Sequence, residues 1–314
     1  MKKTLIFVLI FAIAAALCGC AGEPYESGGD GLEIVATLFP AYDFARNIAG
    51  ERANVTLLVP PGSEAHSFEP TPQDVVRIQS CDLLVRNGGE SEAWMDEVME
   101  GQEDAVPTLT MLECVDAVEE EVKEGMQADE EEDSGGEELE YDEHEWTSPV
   151  NAALICRAIR DRLCEADPDG ADYYTQNCEE YCAKLDGLDA AFREVVSGAS
   201  RRTLIFADRF PVRYFVEEYG LDYYAAFPGC ADDTEPSAKT VAFLIDKVRE
   251  ERVPAVMYIE FSNQKMADII CEDTGCKKLP FNSCHNVTAE QFKAGVGYLD
   301  LMWENVSSLE EALG

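Results

Sequence analysis

The stretch PPGSEAHSFEP, residues 60–70, decides how the rest of the chain is interpreted. The apolar run at residues 54–59 is typical of a buried strand, and the prolines end it because proline cannot donate to a sheet ladder. Thr71 and Pro72 then begin a helix with an N-cap residue and a proline at the first helical position. His66 therefore lies on a loop after the carboxyl end of a strand, where α/β proteins bind ligands.

The beginning of the chain is predicted to be an export signal. Residues 1–19 combine a basic start with an apolar run that is too short for a membrane span, and they lead into the sequence LCGC, which ends at Cys20. This sequence resembles the bacterial lipoprotein signal, so Cys20 is predicted to carry a lipid; a plain cleaved secretory signal is the alternative. Residues 20–31 are polar and glycine-rich, which predicts a flexible tether.

The charge of the chain narrows the class of ligand. Its 314 residues include 63 Asp and Glu against 24 Lys and Arg, giving a formal net charge of −39. Such a chain repels phosphates, so nucleic acids and anionic substrates are disfavoured and cations are favoured. No glycine-rich phosphate-binding fingerprint is present in the sequence.

Ten of the twelve cysteines follow the predicted lipid anchor. An even set in an exported chain predicts disulfides, and the absence of a CxxC pair disfavours a cysteine-rich zinc module. Two pairings have a geometric basis: Cys156 or Cys164 with Cys178 or Cys182 across two antiparallel helices, and Cys230 with Cys284 between converging loops.

Hydrophobic periodicity predicts an α/β fold with two lobes, each with a mainly parallel four-stranded sheet flanked by helices. We assign residues 32–166 to an N-terminal lobe, residues 171–198 to one long rigid linker helix of roughly 40 Å, and residues 199–314 to a C-terminal lobe. An acidic loop at residues 119–145 interrupts the first lobe. Its second half, residues 129–145, contains eleven acids in seventeen residues, too polar to bury a core.

All three histidines and one aspartate follow predicted strands or close loops. His66 follows the second strand, His144 closes the acidic loop, Asp208 follows the first strand of the second lobe, and His285 follows the last strand. Transition metals bind neutral imidazoles and carboxylates that converge from rigid elements. These four residues are therefore predicted as a metal shell, with a helix N-cap as the other interpretation of Asp208.

Four more residues are candidates for supporting groups or alternate ligands: Glu64, Glu260, Ser283 and Cys284. Glu260 ends a strand in the same way as Asp208. Cys284 stands beside His285, although an oxidising compartment favours a disulfide for this thiol.

The motifs together resemble one family. PPGSEAHSFEPTP is similar to the PxGxEPHxYEPTP signature of the zinc and manganese solute-binding lipoproteins of bacterial ABC importers. HEWTSPVNA resembles that family's PHxWLSPxNA, and TEPSAKTV resembles its EPS segment. The resemblance covers nearly all of the mature chain. It implies two α/β lobes joined by one long helix, a metal in the cleft between them, and an ABC permease with its ATPase as partners.

Two positions depart from the family pattern. Asp208 stands where the family usually has a histidine, and Ser283, with His285 close by, stands where it usually has a carboxylate. This exchange keeps three histidines and one carboxylate. Zn²⁺ is favoured because imidazole suits it better than it suits Mn²⁺, which is the alternative.

Two other functional classes remain open at this point. A zinc-dependent hydrolase would use Glu64 or Glu260 as a base, but no HExxH or similar spacing is present. A surface adhesin is permitted by the tether and acidic surface, without an array of repeats to support it. We therefore expect a monomeric, non-enzymatic metal receptor, lipid-anchored outside the bacterial cell membrane.

Overall fold

The computed structural model describes residues 31–64, 68–100, 105–127, 141–231 and 236–314. Several predicted features lie outside these residues, namely the signal peptide, Cys20, all of the tether before residue 31, His66, and residues 128–140 of the acidic loop. No helix in the described ranges is both long and apolar enough to cross a membrane.

The N-terminal lobe is a parallel sheet with helices packed on it. Its elements are β1 (Leu32–Ala36), α1 (Phe39–Ala49), β2 (Ala53–Leu57), α2 (Pro72–Ser80), β3 (Leu83–Arg86), α3 (Trp94–Met99) and β4 (Thr108–Thr110). The strand order is β2-β1-β3-β4, and every pairing is parallel. The central strands β1 and β3 are mostly buried, as expected where helices cover both faces of a parallel sheet.

Two packed helices follow the N-terminal sheet, α4 (Pro149–Ala166) and α5 (Ala171–Gly198). The side chain of Ser148 caps α4 by accepting the backbone N–H of Asn151 at 3.3 Å. The predicted linker helix corresponds to α5, whose 28 residues span about 42 Å at the rise of an α-helix.

The C-terminal lobe repeats the plan of the first. Its elements are β5 (Thr203–Arg209), α6 (Arg213–Tyr219), β6 (Asp222–Phe227), α7 (Ala238–Glu251), β7 (Ala255–Tyr258), α8 (Lys265–Thr274), β8 (Lys277–Pro280), α9 (Ala289–Ala294) and α10 (Tyr298–Leu313). The strand order β6-β5-β7-β8 is again fully parallel. The predicted fold class is confirmed, while the exact lobe boundaries stay predictions.

The last helix returns to the N-terminal lobe and joins it through a buried carboxylate. Asp43 on α1 is 1% exposed. It accepts hydrogen bonds from the backbone N–H of Tyr298 at 3.1 Å and from the hydroxyl of Tyr181 at 3.0 Å. Arg46 forms an ion pair with it at 2.7 Å. Burial raises the pKa of Asp43, although Arg46 and the two tyrosines counteract this shift.

Local boundaries differ from the sequence expectation in both lobes. The segment after the predicted turn at residues 87–89, expected to be one helix through Glu100, is a 3₁₀ turn at Glu90–Glu92 followed by the short helix α3. Gly89 precedes the 3₁₀ turn with a φ of 81°, and a Cβ there would collide with the carboxylate of Glu143. In the second lobe, β5 extends through Asp208. The helix-cap interpretation of Asp208 is wrong, because α6 begins at Arg213 with Val212 as its N-cap.

The predicted disulfides are not present among the described residues, where all ten cysteines are free thiols. The sulfur of Cys182 lies 3.8 Å from the carbonyl oxygen of Ala153. Cys178 and Cys182 lie one turn apart on α5, with sulfurs 3.8 Å apart, well beyond a bonded S–S distance. The prediction relied on two helices packing together. Such packing brings cysteines on the two helices near one another but does not determine the direction of their side chains.

Candidate metal site

Parallel topology places the loops after the strands at one edge of each sheet, and loops from both lobes line one cavity. His144 and His285 lie there with ring centroids 5.3 Å apart and ring planes at 88°. A small cavity of about 20 Å³ lies between the lobes at this point, room for about one water molecule or ion. Its polar lining comes from Ser63, Glu64, His144, Arg209, Glu260, Ser283, His285 and Asn286.

Asp142 orients the ring of His144. Its Oδ1 lies 3.2 Å from Nδ1 of His144 and accepts the backbone N–H of the same residue at 2.9 Å. Burial alone would lower the pKa of His144, but the neighbouring Asp142 raises it above the ordinary value. A carboxylate at one ring nitrogen is the arrangement that orients histidine ligands in metal sites.

The loop that carries His144 is held from both lobes. From the first lobe, the side-chain amide of Asn87 donates to the carbonyl of Glu143 at 2.9 Å, and the Glu143 carboxylate accepts the backbone N–H of Ser91 at 3.1 Å. From the second lobe, the hydroxyl of Tyr214 donates to the carbonyl of Asp142 at 2.8 Å. Gly229 leaves space for the histidine, since a Cβ there would lie 3.2 Å from Cε1 of His144.

Glu260 holds the loop that carries His285. Its two carboxylate oxygens accept the backbone N–H and hydroxyl of Ser283, at 2.7 and 2.6 Å, and the backbone N–H of His285 at 3.0 Å. Burial raises the pKa of Glu260, although these hydrogen bonds counteract the shift. Trp146 supports the same loop, because its indole N–H donates to the carbonyl of Ser283 at 2.8 Å.

Asn286 ties the C-terminal lobe to the loop that precedes His66 in the sequence. Its side-chain amide donates to the carbonyls of Pro60 and Ser63, at 2.9 and 2.8 Å. Asn286 is 5% exposed. These bonds hold the backbone at Pro60 and Ser63 against the C-terminal lobe. Ser63 is three residues before His66, which itself lies outside the described residues.

Asp208 lies beside a larger adjoining cavity of about 360 Å³. Glu64 and Glu260 line both cavities, whereas Asp208 lines only the larger one. Oδ1 of Asp208 accepts the backbone N–H of Arg209 at 2.9 Å, and Oδ2 is buried with no hydrogen-bond partner in the described part of the chain. Burial raises the pKa of this carboxyl.

Cys284 is placed in the core rather than in the cleft. It is fully buried, belongs to the main hydrophobic cluster, and adopts a left-handed φ of 61°. Burial raises the pKa of its thiol well above the ordinary value, so the thiolate that a metal requires is disfavoured. Within the described residues, no three His, Cys, Asp or Glu side chains converge closely enough to hold a metal.

Sequence reasoning missed Asp142 and Asn286. A signal for Asp142 was present, because a carboxylate two residues before a candidate histidine ligand can reach back to its ring. No such local signal exists for Asn286, whose partners are more than 220 residues away in the sequence.

Comparison with protein families gives one match over most of the chain. The model described as "Zinc-uptake complex component A periplasmic" matches residues 34–312. Among curated proteins, the High-affinity zinc uptake system protein ZnuA of Bacillus subtilis is 33% identical over 97% of this chain and 97% of that protein. The Manganese-binding lipoprotein MntA of Halalkalibacterium halodurans is 29% identical over 100% of this chain and 99% of its own length.

Among solved structures, the Zn(II)-bound ZnuA-like domain of Streptococcus pneumoniae AdcA superposes with a TM-score of 0.75 at 29% identity. The alignment covers 90% of this chain and 99% of that domain.

Proposed function

Since the chain belongs to the family of zinc-uptake complex component A, we propose that it captures Zn²⁺ outside the cytoplasm and delivers it to an ABC permease. The observation that carries this function is the pair His144 and His285, whose ring centroids lie 5.3 Å apart between the lobes. Mn²⁺ is the alternative cargo, and a relative named as a manganese-binding lipoprotein supports keeping it open.

The proposed ligands are His66, His144, His285 and Asp208, and the last three, which do not converge on a shared position in this structure, are proposed to close on the ion when it binds. Nε2 is the metal-binding nitrogen of His144, because Asp142 lies at Nδ1. Asp208 is the proposed carboxylate, and its buried Oδ2, without a hydrogen-bond partner in the described ranges, supports this role. Glu260 serves instead to position His285, since its oxygens already accept three hydrogen bonds from the loop.

Zinc is preferred over manganese on the chemistry of the donors. Three imidazoles and one carboxylate suit Zn²⁺, whereas Mn²⁺ prefers a set richer in oxygen. The most similar curated relatives reported above include a zinc uptake protein at 33% identity.

The receptor is proposed to act as a monomer anchored to the outer face of the cell membrane through a lipid on Cys20. Its partners are the permease and the ATPase of the importer. The acidic surface, with a net charge of −39, draws cations towards the cleft, an effect that salt weakens.

A binding role, rather than hydrolysis, accounts for the carboxylates around the cleft. A hydrolase needs a general base free to take a proton from a metal-bound water. Glu260 is engaged with the 283–285 loop, and Glu64 lies 3.2 Å from the guanidinium of Arg209 in an ion pair. Both carboxylates therefore have structural partners.

Metal analysis followed by calorimetry tests this function. The protein is purified without chelator, its metal content is measured by mass spectrometry, and the apoprotein is titrated with Zn²⁺ and with Mn²⁺. We expect one site that binds Zn²⁺ more tightly than Mn²⁺. If neither ion binds more tightly than about 1 μM, which corresponds to ~8 kcal/mol, the proposed function fails.

A further inference from the structure

Two pairs of cysteines in the described residues bring their sulfurs within 4 Å. In the C-terminal lobe, the sulfurs of Cys271 and Cys276 lie 3.5 Å apart. In α5, the sulfurs of Cys178 and Cys182 lie 3.8 Å apart. The two distances are similar, but the backbones that carry the pairs differ.

The chain reverses between Cys271 and Cys276. Cys271 lies in the last turn of α8, and Cys276 directly precedes β8. Gly275, with a φ of 77°, ends the helix, and its N–H donates to the carbonyl of Cys271 at 2.8 Å. This left-handed helix end folds the residue after the glycine back onto the last turn. The two side chains therefore approach from different elements.

The cysteine pair on α5 cannot approach in this way, because both residues lie on the same helix. Cβ atoms four residues apart on a helix are held about 5–6 Å from one another, whereas a disulfide needs about 3.5–4.5 Å. Cys178 and Cys182 are also only 1% and 5% exposed. Cys271 and Cys276 are partly exposed, so a reagent in solution reaches them more readily.

We propose that Cys271 and Cys276 form a disulfide after export, an inference that rests on the extracytoplasmic location in the proposed function. The oxidant is a disulfide-bearing molecule or an exported dithiol–disulfide oxidoreductase. A thiolate of the pair attacks one sulfur of the oxidant's disulfide, the S–S bond of the oxidant breaks, its other sulfur leaves as a thiolate that takes up a proton, and a mixed disulfide remains. The second thiolate then displaces the reduced oxidant. The receptor loses two protons and two electrons, and the oxidant gains the electrons.

The bond would tie the end of α8 to the start of β8. Helix α8 packs on the outer core of the C-terminal lobe through Ala267 and Ile270, and the chain after β8 continues to the loop with His285. Closing a loop this short restricts the unfolded chain modestly. We expect the oxidised protein to melt about 4 °C higher than the reduced protein.

Thiol counting on the full exported chain tests the proposal. The protein is equilibrated with oxidised glutathione, denatured, alkylated with iodoacetamide and digested for mass spectrometry. We expect two of the ten thiols to become protected, with the cross-linked peptide joining Cys271 to Cys276. Ten alkylated thiols, a bond elsewhere, or glutathione held on one cysteine of the pair would overturn the proposal.

Matched double variants separate the pair from the other cysteines. Cys271→Ser with Cys276→Ser should abolish the protection and make the melting temperature insensitive to dithiothreitol. Cys178→Ser with Cys182→Ser should leave both effects as in the parent. Zn²⁺ titration of the same samples distinguishes the two proposals, since a chain that binds zinc but keeps ten reduced thiols overturns only the disulfide.

Discussion

The two lobes share one strand order but offer different groups to the cleft. On the N-terminal side, His144 sits on a loop whose position depends on hydrogen bonds from both lobes. On the C-terminal side, Asp208 lies near the end of β5, Glu260 lies two residues after β7, and His285 follows β8. The two sheets therefore have the same topology but present different side chains at their cleft-facing edges.

The carboxylates and the imidazoles around the cleft therefore have different roles. Asp142 and Glu260 orient the segments that carry His144 and His285, respectively. Asp208 lies apart from both, beside the adjoining cavity. If this division holds, the imidazoles set the affinity for metal, and the supporting carboxylates set how well the imidazoles are presented.

Removing an imidazole should have the largest effect. His144→Ala and His285→Ala should each weaken Zn²⁺ binding by at least about 100-fold, because loss of a supporting residue already costs about 10–100-fold in metal sites. Calorimetry measures the change, and the melting temperature of each apoprotein controls for folding. Equal affinity in either variant would show that its histidine is not a ligand.

Lowering the pH should weaken binding next most strongly. A histidine must lose its proton to bind metal. Burial lowers the pKa of His144, but Asp142 raises it above its ordinary value, so proton competition begins above about pH 6.5. Affinity should be highest at pH 7.5 and fall steadily to pH 5.

Asp142→Asn is the matched control for this pH dependence. It removes the charge that raises the pKa of His144, so the fall in affinity should begin at a lower pH than in the parent. A flat affinity from pH 7.5 to 5 in the parent would contradict the assignment of histidine ligands.

Variants of Asp208 test whether this carboxylate in the C-terminal lobe is a metal ligand. Asp208→Ala should weaken Zn²⁺ binding by about 10–100-fold, and Asp208→His should restore it by supplying another donor that zinc accepts. Calorimetry at pH 7.5 compares both with the parent. Should Asp208→Ala bind as tightly as the parent, the fourth donor is another group, and Glu64 and Glu260, which line the cavity beside the histidines, are the candidates.

Asn286 tests the contact between the lobes and should have the smallest effect. Asn286→Ala removes the bonds to the Pro60 and Ser63 carbonyls and should weaken Zn²⁺ binding by about 10-fold. Asn177→Ala is the control, since it removes a single bond of similar length to the Ile48 carbonyl far from the cleft. An equal effect from both variants would mean that Asn286 contributes only stability.

Much of the fold was predictable because its signals are local. Thr71 and Pro72 predicted the start of α2, where the capping box is present, and the uninterrupted pattern after residue 171 predicted α5. The end of β5 was missed because a polar residue such as Asp208 can continue a strand when its neighbours pair in the sheet.

The positions of His144 and His285 in the fold were predictable from the sequence, whereas the groups that support them were not. His144 and His285 were identified from loops after strands or before a helix cap, and they do lie side by side. The role of Asn286 depends on a contact across more than 220 residues, which no local pattern encodes. The predicted disulfides failed for a related reason, since helix packing alone does not fix where a sulfur points.

Anomalous diffraction from crystals grown with Zn²⁺ would show directly whether His144 and His285 hold the ion. Data collected on both sides of the zinc absorption edge locate the ion without reference to the protein. We expect one strong peak between the lobes, within about 2.0–2.2 Å of an imidazole nitrogen of both His144 and His285. A peak bonded to neither histidine, or no peak in the cleft, would show that these histidines do not bind the metal.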